Sequence, residues 1–124
     1  MSDGRTRIET GEAPPPAGPY SQAIRSNGLV FLAGQGPFTP AGDQPETFEA
    51  QAEQAFSNLQ AVARAAGADL QHAVRVAIYL RDMSTFQAMN EVYRRFFSEP
   101  YPARTTIQSD IPFSIEVDAI VPAG

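Results

Sequence analysis

Three ionisable residues in the C-terminal third of the chain stand out as candidates for binding or proton transfer: Arg104, in Pro102-Ala103-Arg104-Thr105-Thr106-Ile107, and the acid pair of Glu116-Val117-Asp118. A guanidinium offers a planar fork of donors suited to a carboxylate or phosphate. A carboxylate within reach of the bound anion could direct a water or carry a proton. Proline disfavours helix for the residue before it, and Thr105, Thr106 and Ile107 are β-branched, so the stretch is predicted to be a strand. On it Arg104, Thr106 and Gln108 share one face, and Ala103, Thr105 and Ile107 the other. The plain alternative is a solvated arginine, or one in an exposed ion pair, and such pairs contribute little to stability.

Absences narrow the chemistry. The sequence has no cysteine, which removes disulfides, thiolate nucleophiles and thiolate metal sites together. All nine basic residues are arginine, so no lysine can form a Schiff base. His72 is the only histidine, too few for a multi-histidine metal site, and its place between Leu70-Gln71 and a strand suits a surface residue. The net charge of −5 argues against broad attraction to nucleic acid. No apolar run approaches the roughly 18 residues of a membrane span. Met1-Ser2-Asp3-Gly4-Arg5 lacks the apolar core of a signal peptide, so a cytoplasmic location is expected. At 124 residues the chain has the size of a single domain, residues 1 to 124, with about the first five expected to fray.

The elements that must position these residues follow in order. Arg5 to Glu9 has a weak edge-strand signal. Ala13-Pro14-Pro15-Pro16-Ala17-Gly18-Pro19 cannot be helical. Tyr20 to Ile24 leads to Asn27-Gly28, a strong hairpin signal, and Leu29 to Gly34 is apolar on both faces, as in a central strand. From Glu46 to Ala66, apolar residues including Phe48, Ala52, Phe56, Leu59 and Val62 recur at helical spacing, and Gly67 is placed to cap that helix. Ala73 to Leu80 alternates, with Val74, Val76, Ile78 and Leu80 on one face. A second helix, capped by Asp82 or Ser84, carries the stripe Phe86, Met89, Tyr93, Phe96 and Phe97 and ends in Arg94-Arg95, where the helix dipole favours cations. Asn90 lies at the edge of that stripe, as a structural bracket or a site residue. Ala103 to Gln108 and Phe113 to Val121 are the last strands. Paired as a hairpin about Ile111, they set Arg104 opposite Asp118 and Thr106 opposite Glu116. In any register Glu116 and Asp118 share a face, with Ile115, Val117, Ala119 and Val121 turned to the core.

The order β-β-α-β-α-β-β, with the weak edge strand added, implies a six-stranded mixed sheet with both helices packed on one face. Gly18-Pro19-Tyr20-Ser21-Gln22-Ala23, Ala33-Gly34-Gln35, the Asn58-Leu59 to Ala66-Gly67 helix end, Asn90-x-x-Tyr93-x-x-Phe96-Phe97, Pro102-Ala103-Arg104 and Glu116-Val117-Asp118-Ala119-Ile120 together resemble the RidA (YjgF/YER057c/UK114) family of imine/enamine deaminases. The resemblance runs from about Pro14 to Val121. It implies a chorismate-mutase-like α+β fold and a homotrimer with ligand sites in the clefts between subunits. By the same resemblance Arg104 holds the substrate carboxylate, and Glu116 positions or activates water. Tyr20 lines the cleft, Asn90 lies near it, and Gly34 belongs to a strand that brings backbone close to the ligand. The implied reaction hydrolyses 2-aminoacrylate-type enamines or small 2-imino acids to 2-oxo acids and ammonia, without metal or cofactor.

Two positions depart from the family pattern: Thr106 where many members carry cysteine, and Ala33 where many carry serine. Thr106 keeps a small polar group on the site face, whereas Ala33 deletes a hydroxyl. Two other activities come with the resemblance. One is a non-catalytic trimer that binds 2-oxo acids. The other is the family's endoribonuclease (L-PSP) label, which an acidic chain with one histidine suits poorly.

Overall fold

The computed structural model describes residues 3–124; Met1 and Ser2, part of the stretch expected to fray, lie outside the described residues. The strands are β1 (Thr6–Ile8), β2 (Ala23–Ser26), β3 (Leu29–Gln35), β4 (Arg75–Leu80), β5 (Ala103–Gln108) and β6 (Ile115–Pro122). The helices are α1 (Phe48–Ala65) and α2 (Phe86–Phe96). One six-stranded sheet runs in the order β1-β2-β3-β6-β4-β5. All pairs are antiparallel except β4 with β5. Among the described residues no helix is long and apolar enough to cross a membrane.

Local chemistry accounts for the boundaries. Asn27 and Gly28 both have positive φ (53° and 77°), the geometry of a tight turn that matches strand twist, and they close the β2–β3 hairpin. Thr47 caps α1 by accepting from the Ala50 N–H, and Gly67 (φ 76°) ends it. There the Gly67 N–H donates to the Arg64 carbonyl and the Ala68 N–H to the Ala63 carbonyl. The second helix starts later than its capping signals suggest. Asp82 caps a single 3₁₀ turn, Met83–Thr85, and α2 begins at Phe86 with no side-chain cap. Val74 stands just outside β4 and is 49% exposed, not part of the buried face.

The core lies between the sheet and the two helices. Val76, Ile78 and Leu80 of β4 and Ile115, Val117, Ala119 and Val121 of β6 are buried there with Phe56, Leu59 and Val62 of α1 and Met89 and Val92 of α2. Phe56 joins the helices through ring contacts with Tyr93, Phe96 and Phe97 at centroid distances of 5.9, 5.4 and 6.0 Å. Each such pair adds about 0.5–1.5 kcal/mol beyond the area it buries.

The expected β5–β6 hairpin does not form. β5 pairs in parallel with β4, and β6 lies on the other side of β4, between β4 and β3. The loop between them straddles the end of β4, with the Ser109 N–H donating to the Leu80 carbonyl and the Arg81 N–H to the Ser114 carbonyl. β4, α2 and β5 thus form a strand–helix–strand crossover, the connection parallel strands require.

Candidate functional site

The strand order sorts the candidate residues onto two faces. Arg104 and Thr106 are level with Val76 and Ile78, so they lie on the face that the helices cover. Glu116 and Asp118 are level with Tyr79 and Ala77, on the open face. Arg104 therefore does not oppose Asp118, nor Thr106 Glu116: β4 stands between them, and their side chains leave opposite faces of the sheet.

On the helix face, Arg104 is half-buried beside α2. Its guanidinium carbon lies 4.7 Å from the centre of the Tyr93 ring and 5.6 Å from that of Phe86. Among the described residues no carboxylate pairs with it; the five ion pairs there use Arg5, Arg7, Arg94 and Arg95. Arg104, Asn90, Tyr93, Arg94, Tyr101 and Pro102 line a cavity of about 270 Å³. Asn90 Oδ1, the Tyr93 hydroxyl and Thr106 Oγ1 are buried without an aligned hydrogen-bond partner. Burial raises the Tyr93 hydroxyl pKa, and the nearby positive charge of Arg104 draws it partway back. A cation held on ring faces, with unpartnered polar atoms on the same face, is an arrangement able to take an anion. A larger groove of about 770 Å³ runs past Thr10, Gln60 and Arg64 to Arg95, but it brings together none of the candidate residues, and Arg95 is committed to Glu49 and Glu53.

On the open face, Glu116 lies against the backbone of Gly34. A methyl group on Gly34 would come within 2.5 Å of Glu116 Oε2. The contact arises at a β-bulge. Leu32 is level with Ala119 and Gln35 with Val117, so Ala33 and Gly34 together face the single residue Asp118. Gly34 thus makes room for the acid of its own chain, a role that the sequence alone did not reveal. Two buried amides fix the surroundings. Asn58 donates to the carbonyls of Phe38 (2.7 Å) and Gly36 (3.3 Å), just after the bulge. Gln22 accepts from the Thr10 N–H and donates to the Pro14 carbonyl, tying down the proline-rich segment before Tyr20. The Ala33 N–H donates to the Gln22 carbonyl, joining that segment to the bulge. Tyr20 itself is 52% exposed, and its hydroxyl accepts from the Ala17 N–H.

The two acids of this face titrate above the ordinary carboxylate range. Burial raises Glu116 first and the neighbouring Asp118 charge adds to it. Burial also raises Asp118, against the opposing pull of Tyr79 and Arg75. A carboxyl shifted upward is a better proton carrier near neutral pH. Among the described residues no group of three or more His, Cys, Asp or Glu side chains is arranged to hold a metal ion.

The structure thus gathers Arg104 and Asn90 at one cavity, with Thr106 on the same sheet face two residues along, and Ala33, Gly34 and Glu116 in another place. Sequence reasoning passed over Phe86 and Tyr93, assigning both to the core stripe of α2. Their spacing from Asn90, one helical turn on either side, was the signal available.

Residues 10–122 match the family model described as Endoribonuclease L-PSP. The chain is 44% identical over 119 residues to the RutC family protein y4sK of Sinorhizobium fredii, covering 92% of this chain and 94% of that one. It is 38% identical over 119 residues to a 2-iminobutanoate/2-iminopropanoate deaminase of Dermatophagoides farinae, with coverages of 92% and 93%. Among solved structures, RidA from an Antarctic Psychrobacter superposes with a TM-score of 0.89 at 39% identity, covering 94% of this chain and 98% of that one. With matches of this extent to sequence and fold alike, the chain belongs to the endoribonuclease L-PSP family, the RidA (YjgF/YER057c/UK114) family.

Proposed function

We propose that this protein is a cytoplasmic imine deaminase, assembled as a homotrimer, that hydrolyses small 2-imino acids and their enamine tautomers. The observation that carries the proposal is Arg104, half-buried on ring faces and paired with no carboxylate among the described residues. Its donors are available for the carboxylate of a small acid, with Thr106 and Asn90 beside it. Because Arg104 and Glu116 leave opposite faces of the sheet, the complete site requires two copies. Arg104 of one subunit meets Glu116, Gly34, Ala33 and Tyr20 of the next across a cleft.

In that cleft the arginine fixes the substrate carboxylate and draws electron density from the imine carbon. Glu116 takes a proton from water as the oxygen adds to that carbon and gives it to the nitrogen, forming a carbinolamine. It then takes the new hydroxyl's proton and passes it to the amino group as the carbonyl forms, so the C–N bond breaks and ammonia and a 2-oxo acid leave. Such imines hydrolyse unaided, so positioning and proton transfer suffice.

The test mixes two strongly impaired variants, Arg104→Ala and Glu116→Gln. Each is assayed alone and after co-refolding, on 2-iminobutanoate generated in the cuvette by an amino acid oxidase. If each site joins two subunits, random mixing leaves about a quarter of the sites with both residues intact, and activity returns. An Arg104→Ala protein that accelerates ammonia release as well as the wild type would overturn the reading. Ala33, which brings no hydroxyl to the Glu116 side, favours a second reading, a non-catalytic 2-oxo acid sensor. Tight binding of 2-oxobutanoate without deamination would select it.

A further inference from the structure

Phe86, Asn90 and Tyr93 stand at one- and two-turn spacing on a single face of α2, and the guanidinium of Arg104 lies over both rings. A half-buried cation usually takes a carboxylate partner, but such a partner would compete with a ligand for the same donors. A ring face avoids that competition. Its quadrupole attracts the cation through the plane of the guanidinium, while the N–H groups, which lie in that plane, stay available at the edge. Tyr93 is itself buried and packed. It is 5% exposed, and its ring packs 4.4 Å from that of Phe97 and 5.9 Å from that of Phe56.

We propose that Tyr93 is a positioning residue of this site: its fixed ring, with Phe86, holds the Arg104 guanidinium free of any carboxylate of its own chain and presents it to the ligand's. Tyr93 acts through Arg104 and does not touch the reacting atoms. The role rests on the reading of Arg104 as the carboxylate clamp. It adds that the clamp is set before the ligand arrives, so binding need not immobilise a long side chain. The ring carries the effect; the buried hydroxyl lies near the Arg104 guanidinium but is not aligned for a full hydrogen bond, and it is expected to add little.

The experiment measures 2-oxobutanoate affinity by calorimetry, steady-state hydrolysis of 2-iminobutanoate and thermal midpoint. It compares the wild type with Tyr93→Phe, Tyr93→Leu, Phe86→Leu, Arg104→Lys and the double variant Arg104→Lys/Tyr93→Leu. Tyr93→Phe keeps the ring and is expected to stay within twofold of the wild type in affinity and KM, with no loss of thermal stability. Tyr93→Leu is expected to weaken 2-oxobutanoate binding and raise KM about tenfold, with kcat within twofold. In the Arg104→Lys background the same change is expected to cost less than threefold, because a compact ammonium does not lie flat on a ring.

A full tenfold effect persisting in that background would show that Tyr93 acts only through general packing, and would overturn the role. So would a folded Tyr93→Leu protein with unchanged KM, or a Tyr93→Phe protein as impaired as Tyr93→Leu. Should Tyr93→Leu fail to fold, Phe86→Leu carries the same test from a half-buried position, with an expected three- to fivefold rise in KM, and an unchanged KM overturns the role. A wild type that neither binds 2-oxobutanoate nor hydrolyses 2-iminobutanoate brings down the deaminase reading and this role together. A wild type that does both, beside unaffected variants, brings down this role alone.

Discussion

On the helix side of the sheet, Arg104 lies over two aromatic rings, and the cavity beside it is walled by side chains of α2 and the Tyr101-Pro102 turn. On the open side, Glu116 rests on bare backbone at a bulge, with Asp118, Tyr79 and Arg75 as its charged and polar company. The first half depends on packing. Its cation is oriented by rings that belong to the core, so it tolerates little change in α2. The second half depends on the absence of a side chain at Gly34 and on burial of its two acids, with the Asp118 charge adding to it at Glu116, which keeps their protons more firmly bound. The anion clamp and proton carrier proposed for Arg104 and Glu116 call for those opposite environments, and a sheet covered on one face only offers both.

Each half can be disabled separately. Glu116→Gln removes the proton carrier and is expected to lower kcat by about 10²–10⁴-fold while 2-oxobutanoate affinity stays near that of the wild type, as seen in a steady-state assay beside calorimetry. Arg104→Ala removes two charge-assisted hydrogen bonds, about 3 kcal/mol, so kcat/KM is expected to fall about 100-fold, with the affinity lost as well. Gly34→Ala leaves the clamp intact and pushes Glu116 aside. We expect about a tenfold loss in kcat and unchanged 2-oxo acid binding, a split that separates the halves without touching either acid or base.

The smallest effect is on stability against pH. Glu116 and Asp118 both titrate higher in the folded chain than in an unfolded one. Above the ordinary carboxylate range the folded state therefore holds more protons, and stability falls as pH rises until both folded-state pKa values are passed. Thermal melts across that window should show the decline, and Glu116→Gln should flatten it. Arg104→Ala should not, because Arg104 lies on the other face.

Much of this was written locally. The alternation of Ile115, Val117, Ala119 and Val121 against Glu116 and Asp118 assigns the faces of β6 with no knowledge of its neighbours. Asn27-Gly28 and Gly67 mark a turn and a helix end because positive φ suits those residues at little cost. The order of motifs from Tyr20 to Glu116 identified the family. Tyr93 and Phe86 were harder to read as site residues, because an aromatic stripe looks the same whether it packs a core or carries a cation as well.

Where Arg104 stands relative to Glu116 was set by long-range strand pairing. The short connection from Ser109 to Ser114 suggested a hairpin, yet β4, α2 and β5 also form a strand–helix–strand unit, and two strands compete for the edges of β4. Alternation within a strand fixes which residues share a face, a property of each strand alone. Which strand lies alongside depends on long-range pairing, and here β6 fills the space between β3 and β4, burying apolar residues on its core face. That placement turns a pair expected side by side into two halves on opposite faces.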